Sequence, residues 1–269
     1  MYDYGFDVKE VNEKIDDFIK DFFKDKKGPA IIGLSGGKDS TFCAKKLVDN
    51  LGPDRVIGIM MPNGIQKDIS DSEKVCEILG IKKVVANIEG VYSMLNSTIL
   101  HSILDSFGKS FDLNDLYSTN QPARCRMLIL YGFAALFGGY VCNTCNLSED
   151  VIGYSTKYGD CCGDFSLINM LTVTEVRALG DYVGLPKELI HKAPSDGMCG
   201  KTDEDNLGFT YELLDTWIRT GLPPKSKEVY EKIKRMYINP NTLYKLLPMA
   251  RIENFNLPFN MKFIDLEVK

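Results

Sequence analysis

The chain has 269 residues, 44% of them hydrophobic and 26% charged, which is globular usage and excludes a disordered or fibrous protein. Its net charge of −5 disfavours capture of nucleic acid by the surface as a whole, and no apolar run approaches the ~18 residues of a membrane span. Only two histidines are present, His101 and His191, so a three-histidine zinc site is excluded.

Val11, Ile15, Phe18, Ile19, Phe22 and Phe23 recur at helical spacing, which predicts an amphipathic helix over 8–24, broken by Lys26-Lys27-Gly28-Pro29. Ala30 to Leu34 is a short apolar run of buried-strand type. Beyond Ser35-Gly36-Gly37-Lys38-Asp39-Ser40, the spacing of Phe42, Cys43, Leu47, Val48 and Leu51 predicts a helix that Gly52-Pro53 ends. Strands are expected at 56–61 and within 83–88, with a helix at 70–79 between them. This alternation predicts an α/β fold, a doubly wound and mainly parallel sheet with helices on both faces. A helix from Pro122 to Phe137, stopped by Gly138-Gly139, leads to a fourth strand at 140–143. Residues 144–170, rich in Gly, Ser, Asp and Cys, read as a long loop, and such a loop in a compact domain is more often functional than idle. Thr172-Val173-Thr174-Glu175 is a capping box opening a helix to Val183. A second loop spans 194–209, and helices over 210–220 and 225–237 make a helical C-terminal extension.

Ser35-Gly36-Gly37-Lys38-Asp39-Ser40 lies between a buried strand and a helix start, where a doubly wound sheet binds its ligand. Two glycines let the backbone approach an anion, and the helix start directs free N–H groups at it. Near a polyphosphate the charge of Asp39 repels unless a divalent cation intervenes, so Asp39 points to Mg²⁺. A Walker A loop needs four residues between Gly and Gly-Lys; here Gly33 and Gly37-Lys38 are separated by three, and Asp39 follows. The string instead resembles the pyrophosphate-binding loop of the ATP pyrophosphatase ligases. That resemblance implies an adenine nucleotide alpha hydrolase-like fold, with ATP as co-substrate cleaved to AMP and pyrophosphate.

Three later stretches narrow the resemblance. Ala123-Arg124-Cys125-Arg126-Met127 opens the long apolar helix, residues 144–164 read TCNLSEDVIGYSTKYGDCCGD, and residues 201–211 read KTDEDNLGFTY. Together, over roughly residues 10–240, they resemble the ammonia-dependent NAD⁺ synthetases. The resemblance implies a ligase that amidates deamido-NAD⁺ with ammonia through an adenylated nicotinate carboxylate. It also implies a homodimer with the deamido-NAD⁺ site near the subunit interface. Asp39 and Glu149 match the family's metal-binding carboxylates. Gly33, Ser35, Gly36, Gly37, Asp39 and Ser40, with Thr144 and Ser195, match its ATP site. Arg124, Lys157 and Asp164 match its deamido-NAD⁺ site. About 29 residues precede the first strand, so one synthetase domain over 1–269 without a glutaminase domain is expected, with ammonia free or from a separate glutaminase.

The chain departs from the family pattern at three places. Val173 stands where many members carry an ATP-contacting lysine, and Lys38 is the candidate cation in its place. Cys161-Cys162 replaces Gly-Gly, and Leu243-Tyr244 replaces a His-Lys pair. Eight cysteines in a chain whose start shows no secretory signal are expected to be thiols or ligands in a reducing cytoplasm rather than disulfides. Cys142 and Cys145 form C-x-x-C, and Cys161, Cys162 and Cys199 fall in the expected site loops. Small packed thiols are the favoured reading, because no second C-x-x-C completes a zinc ribbon. A metal or sulfur-carrying cluster suits the alternative function, an ATP-dependent thiolating enzyme of the same superfamily. The other alternative is a nucleotide-binding homologue without activity, against which two metal-type carboxylates count. His101, on an expected helix, and His191 are read as structural.

Overall fold

In a computed structural model, the protein is described over residues 4–66, 69–192, 202–237, 249–252 and 254–261. Helix α1 (Val8–Phe23) begins where the Asp7 carboxylate accepts from the N–H groups of Lys9 and Glu10, and it buries Val11, Ile15, Ile19 and Phe23. Strand β1 (Ala30–Gly33) follows, then α2 (Lys38–Leu51), β2 (Val56–Met60), α3 (Ile69–Leu79) and β3 (Lys83–Val85). Two long helices, α4 (Glu89–Phe107) and α5 (Asp115–Phe137), lead to β4 (Tyr140–Asn143). Then come α6 (Leu147–Ile152), β5 (Phe165–Ser166), α7 (Val173–Tyr182), α8 (Lys187–Ile190), α9 (Asp203–Leu207), α10 (Tyr211–Thr220), α11 (Lys227–Tyr237) and β6 (Ala250–Arg251).

The six strands form one parallel sheet in the order β3-β2-β1-β4-β5-β6. Strand β1 alternates its side chains between two cores. Ala30 and Ile32 pack with buried residues of α1, α2 and α7, whereas Ile31 packs with Ile59, Val141 and the apolar face of α5. Both faces are therefore covered, as the sequence pattern predicted. A third core, built from Leu147, Val151, Leu214, Trp217, Ile218 and Ile233, joins α6 to the C-terminal helices.

Three elements differ from the sequence-based expectation. Helix α5 starts at Asp115, seven residues before Pro122, because Asn114 caps it by accepting from the Tyr117 N–H at 2.9 Å. Pro122 sits inside the helix and forfeits a single backbone bond there. The expected loop 144–170 contains the six-residue α6 and the two-residue β5, both too short to show a period. The expected loop 194–209 contains α9, opened by a Thr202–Asp205 capping box, while 193–201 lie outside the described residues.

The chain runs outward from β1 to β2 and β3, then returns across α4 and α5 to place β4 on the other side of β1. The direction of winding reverses between β1 and β4, so a crevice opens at the carboxyl ends of these two neighbours. The loops that follow them carry the candidate site.

Candidate active site

The turn after β1 is held open by one glycine. Gly36 has φ +76°, and a Cβ there would stand 2.8 Å from the Cβ of Asp71, so L side chains are excluded by both backbone and space. The loop closes on its own hydroxyls. Ser35 Oγ lies 3.1 Å from Ser40 Oγ and accepts from the Gly37 N–H at 3.2 Å, while Ser40 Oγ donates to the Gly37 carbonyl at 3.2 Å. Ser72 of α3 braces the turn by donating to the Leu34 carbonyl. Gly37 is the N-cap of α2 and offers no side chain to the first-turn amides, which face the crevice without a cap. Gly33 has a packing reason to be glycine, because a Cβ there would meet the Met61 methyl at 3.1 Å.

Asp39 in the first turn of α2 and Glu149 in the first turn of α6 meet across the crevice through Asn146. The buried Asn146 side chain donates to Asp39 Oδ1 at 3.4 Å and accepts from the Glu149 N–H at 3.1 Å. The Asn146 N–H returns a bond to Glu149 Oε2, completing a capping box. Glu149 thus both caps α6 and presents a carboxylate beside Asp39. Burial, then the charge of Asp39, pushes the Glu149 carboxyl well above its ordinary range. Lys38 is 4% exposed and its ammonium lies 2.7 Å from Asp39 Oδ2. Burial alone would lower its pKa, but the charges of Asp39 and Glu149 outweigh that, and the net shift is upward. Two carboxylates therefore face one ammonium. That oxygen-rich set fits a hard divalent cation such as Mg²⁺.

Several residues outside the sequence-based set hold this pair in place. Ser148, beside Glu149, donates to Asp215 Oδ1 at 2.5 Å and accepts from the Val173 N–H at 3.1 Å. Asp215 also accepts from the N–H and hydroxyl of Thr174, at 2.9 and 2.6 Å. The first turns of α6 and α7 are thereby pinned to α10. Glu175, in the α7 capping box, pairs through both oxygens with buried Arg219, at 2.7 and 2.8 Å. Arg219 also donates to the Pro258 and Met170 carbonyls. Asp215 lies in none of the motif stretches; its pairing with Ser148 spans 67 residues of sequence and only the fold reveals it.

Val173 does not compensate for the expected lysine: it is fully buried in the third core. One turn along α7, Arg177 lies on the same side. Its charge acts on Lys38, and its buried Nε has no partner among the described residues. The remaining sequence-predicted residues divide. Arg124 donates from Nε to the Lys157 carbonyl at 3.3 Å, bringing those two segments together. Asp164 is committed to the sheet, where Oδ2 accepts from the Val141 N–H at 2.7 Å. Thr144 directly follows β4 at the crevice. Ser195, Cys199 and Leu243-Tyr244 lie outside the described residues.

The described cysteines are free thiols. Cys161 donates to the Thr156 carbonyl at 2.9 Å and Cys145 to the Asp160 carbonyl at 3.4 Å. Burial, then the Asp160 charge, pushes the Cys161 thiol up to about 12 and raises Cys145 as well. Protonated thiols spent on backbone carbonyls are poor nucleophiles and poor metal ligands, unlike what a thiolating enzyme requires. Among the described residues, no group of three His, Cys, Asp or Glu side chains converges as a metal cluster. His101 bonds its own helix at Ser97, and His191 pairs with Asp181 at the surface; neither approaches the crevice.

A self-closed glycine turn above paired carboxylates, set at the reversal of a parallel sheet, places the chain in the PP-loop class of ATP-dependent ligases. Within that class it belongs to the NAD synthase family, whose model matches residues 11–258. It is 36% identical over 233 residues to the NH₃-dependent NAD⁺ synthetase of Methanocaldococcus jannaschii, covering 85% of this chain and 87% of that protein. It is 41% identical over 231 residues to the enzyme of that name from Methanococcus aeolicus, covering 80% and 85%. Among solved structures, the NMN synthetase of Francisella tularensis superimposes with a TM-score of 0.78 at 30% identity, covering 91% of this chain and 99% of that one.

Proposed function

We propose that the protein amidates deamido-NAD⁺ with ammonia at the expense of ATP, releasing AMP and pyrophosphate. The observation that carries the proposal is the meeting of Asp39 and Glu149 beneath the glycine turn, in a chain of this family. In this reading the uncapped first turn of α2, with Ser35, Gly36, Gly37 and Ser40, holds the pyrophosphate portion of ATP. Thr144 and Ser195 contribute to the same nucleotide site. Asp39 and Glu149 hold Mg²⁺, which when bound neutralises phosphate charge and favours displacement at the α-phosphorus. Lys38 supplies a cation from the turn, and Arg177 a second from α7, in place of the lysine absent at Val173. Arg124, Lys157 and Asp164 border the deamido-NAD⁺ site on the β4–β5 side.

The chemistry is then largely positioning and charge neutralisation. A carboxylate oxygen of the nicotinate attacks the α-phosphorus, the bond to the β-phosphate oxygen breaks, and pyrophosphate leaves. Ammonia attacks the resulting acyl carbon, loses a proton, and AMP departs with the former carboxylate oxygen. No covalent enzyme intermediate is needed, in keeping with the protonated state of the site-loop thiols.

The proposal extends to assembly. Helices α4 and α5 leave six large apolar side chains exposed, Met94, Leu104, Phe107, Leu116, Leu128 and Leu136. A second copy of the chain is the occupant this reading assigns, close to Arg124 on α5. No helix among the described residues is long and apolar enough to cross a membrane, and the free thiols favour a reducing cytoplasm. Ammonia is taken free or from a separate glutaminase.

The likeness to a protein called NMN synthetase supports a second acceptor, nicotinate mononucleotide, at the same site. Incubation with ATP, Mg²⁺, ammonium and each acceptor in turn tests both readings. Equal amounts of NAD⁺, AMP and pyrophosphate are expected from deamido-NAD⁺. Faster turnover of the mononucleotide would transfer the assignment to the second reading, and no amide from either acceptor would overturn both.

A further inference from the structure

Tyr211 opens α10 and is fully buried, yet its hydroxyl has no hydrogen-bond partner among the described residues. The residue is otherwise firmly placed. Its N–H donates to Glu204 Oε1 at 2.9 Å, and its ring packs in the third core with Leu147 and Val151 of α6. It thus lies against the short helix that carries Glu149. The carboxylates whose charges reach its phenol are Glu149, Asp203 and Asp39, two of which form the proposed metal pair. Burial and these charges both favour the protonated phenol, so the group stands ready as a donor.

An orphaned hydroxyl in a packed interior is rare, because folding normally supplies a partner or a water. Here the carboxylates nearby are already engaged, Asp39 by Lys38 and Asn146 and Glu149 by Asn146. None of the described residues supplies the acceptor, and the crevice beside the phenol is where a bound ligand brings one. We propose that the Tyr211 hydroxyl is a nucleotide-binding group, donating to a phosphate oxygen of bound ATP. The inference rests on the reading of this crevice as the ATP site and adds a contact from α10 to those expected from the glycine turn. Tyr211 lies within the 201–211 stretch that carried the family resemblance, but nothing in the spacing distinguishes its hydroxyl from a core tyrosine's.

Tyr211→Phe keeps the ring and removes only the hydroxyl. The readouts are thermal unfolding without ligand and calorimetric binding of α,β-methylene-ATP with Mg²⁺, an analogue resistant at the bond cleaved. Ligand-free stability is expected to be unchanged or slightly raised, because an unsatisfied group is lost. Affinity for the analogue is expected to fall about tenfold, the effect of one hydrogen bond to a charged ligand. Equal affinity of variant and wild type would overturn the inference. So would a variant unfolding several degrees lower, which would reveal a partner in the free protein. Failure of the wild type itself to bind the analogue would remove the ATP-site reading, and this inference with it.

Discussion

Replacing Lys38 by glutamine tests how the site balances its charges. The ammonium is 4% exposed and 2.7 Å from Asp39, whose side chain is 17% exposed, with Glu149 as the second carboxylate. Removing one partner of a fully buried pair costs about 3–5 kcal/mol. Asp39 keeps some contact with water, so about 2–3 kcal/mol is the reasonable figure here. At roughly 2 °C per kcal/mol for a chain of this size, the variant should unfold about 5 °C below wild type in EDTA. Mg²⁺ should restore much of the loss, since an ion at 100 times its dissociation constant contributes about 2.7 kcal/mol. The variant should gain more from Mg²⁺ than wild type does, because no ammonium then opposes the ion. The apparent KM for ATP should rise about tenfold, the equivalent of one charge-assisted contact. Thermal unfolding with and without Mg²⁺, and pyrophosphate release against ATP concentration, provide the two readings. A variant with wild-type stability in EDTA and an unchanged KM would refute both roles of Lys38.

Other perturbations reach the supporting structure. Asp215→Ala leaves the Ser148 hydroxyl and the Thr174 N–H without their acceptor; denaturant unfolding should show a loss of about 2–4 kcal/mol, and turnover should fall more than the KM for ATP rises. Arg219→Met strands the buried Glu175 carboxylate and should cost about 3–5 kcal/mol with little change in KM for the protein that remains folded. Leu128→Glu combined with Leu136→Glu, at side chains 61% and 84% exposed, should give monomers in sedimentation velocity; an unchanged mass would move the interface elsewhere. The Cys161 thiol, raised from 9.0 to about 12 by burial and Asp160, favours the protonated form in the folded state. Its contribution to stability is therefore complete below about pH 9 and lost as pH rises through about 12. Alkylation of Cys161 by iodoacetamide at pH 8 should consequently track unfolding, as peptide mapping would show.

The parts of the fold written in local sequence were legible. Ala30 to Gly33 reads as a buried strand, and Ser35 to Ser40 reads as a ligand turn, because strand, glycines and helix start are contiguous. Asp39 and Glu149 were identifiable as partners only through resemblance, since 110 positions separate their numbers and the β1–β4 adjacency that joins them is topological. Asn146, the bridge between them, is an ordinary helix cap until its second amide function is seen against Asp39. The start of α5 was misplaced because proline is a strong local breaker, and tertiary packing overrides it at Pro122. Strands β5 and β6 have two residues each and are defined by pairing alone, β5 on the edge of β4 and β6 on the edge of β5. The loss of a lysine at Val173 looked like a missing charge; Arg177, four positions on and close enough for its charge to act on Lys38, is the side chain that a linear motif does not reveal.

The central claim is that this crevice joins a nicotinate carboxylate to AMP before ammonia attacks. Deamido-NAD⁺ labelled with ¹⁸O in that carboxylate, incubated with ATP, Mg²⁺ and ammonium, tests it in one measurement. Mass analysis of the AMP should find one labelled oxygen for each NAD⁺ formed, because the carboxylate oxygen leaves with the adenylyl group. AMP free of label, alongside NAD⁺, would contradict an adenylated carboxylate and the roles given to the residues around it.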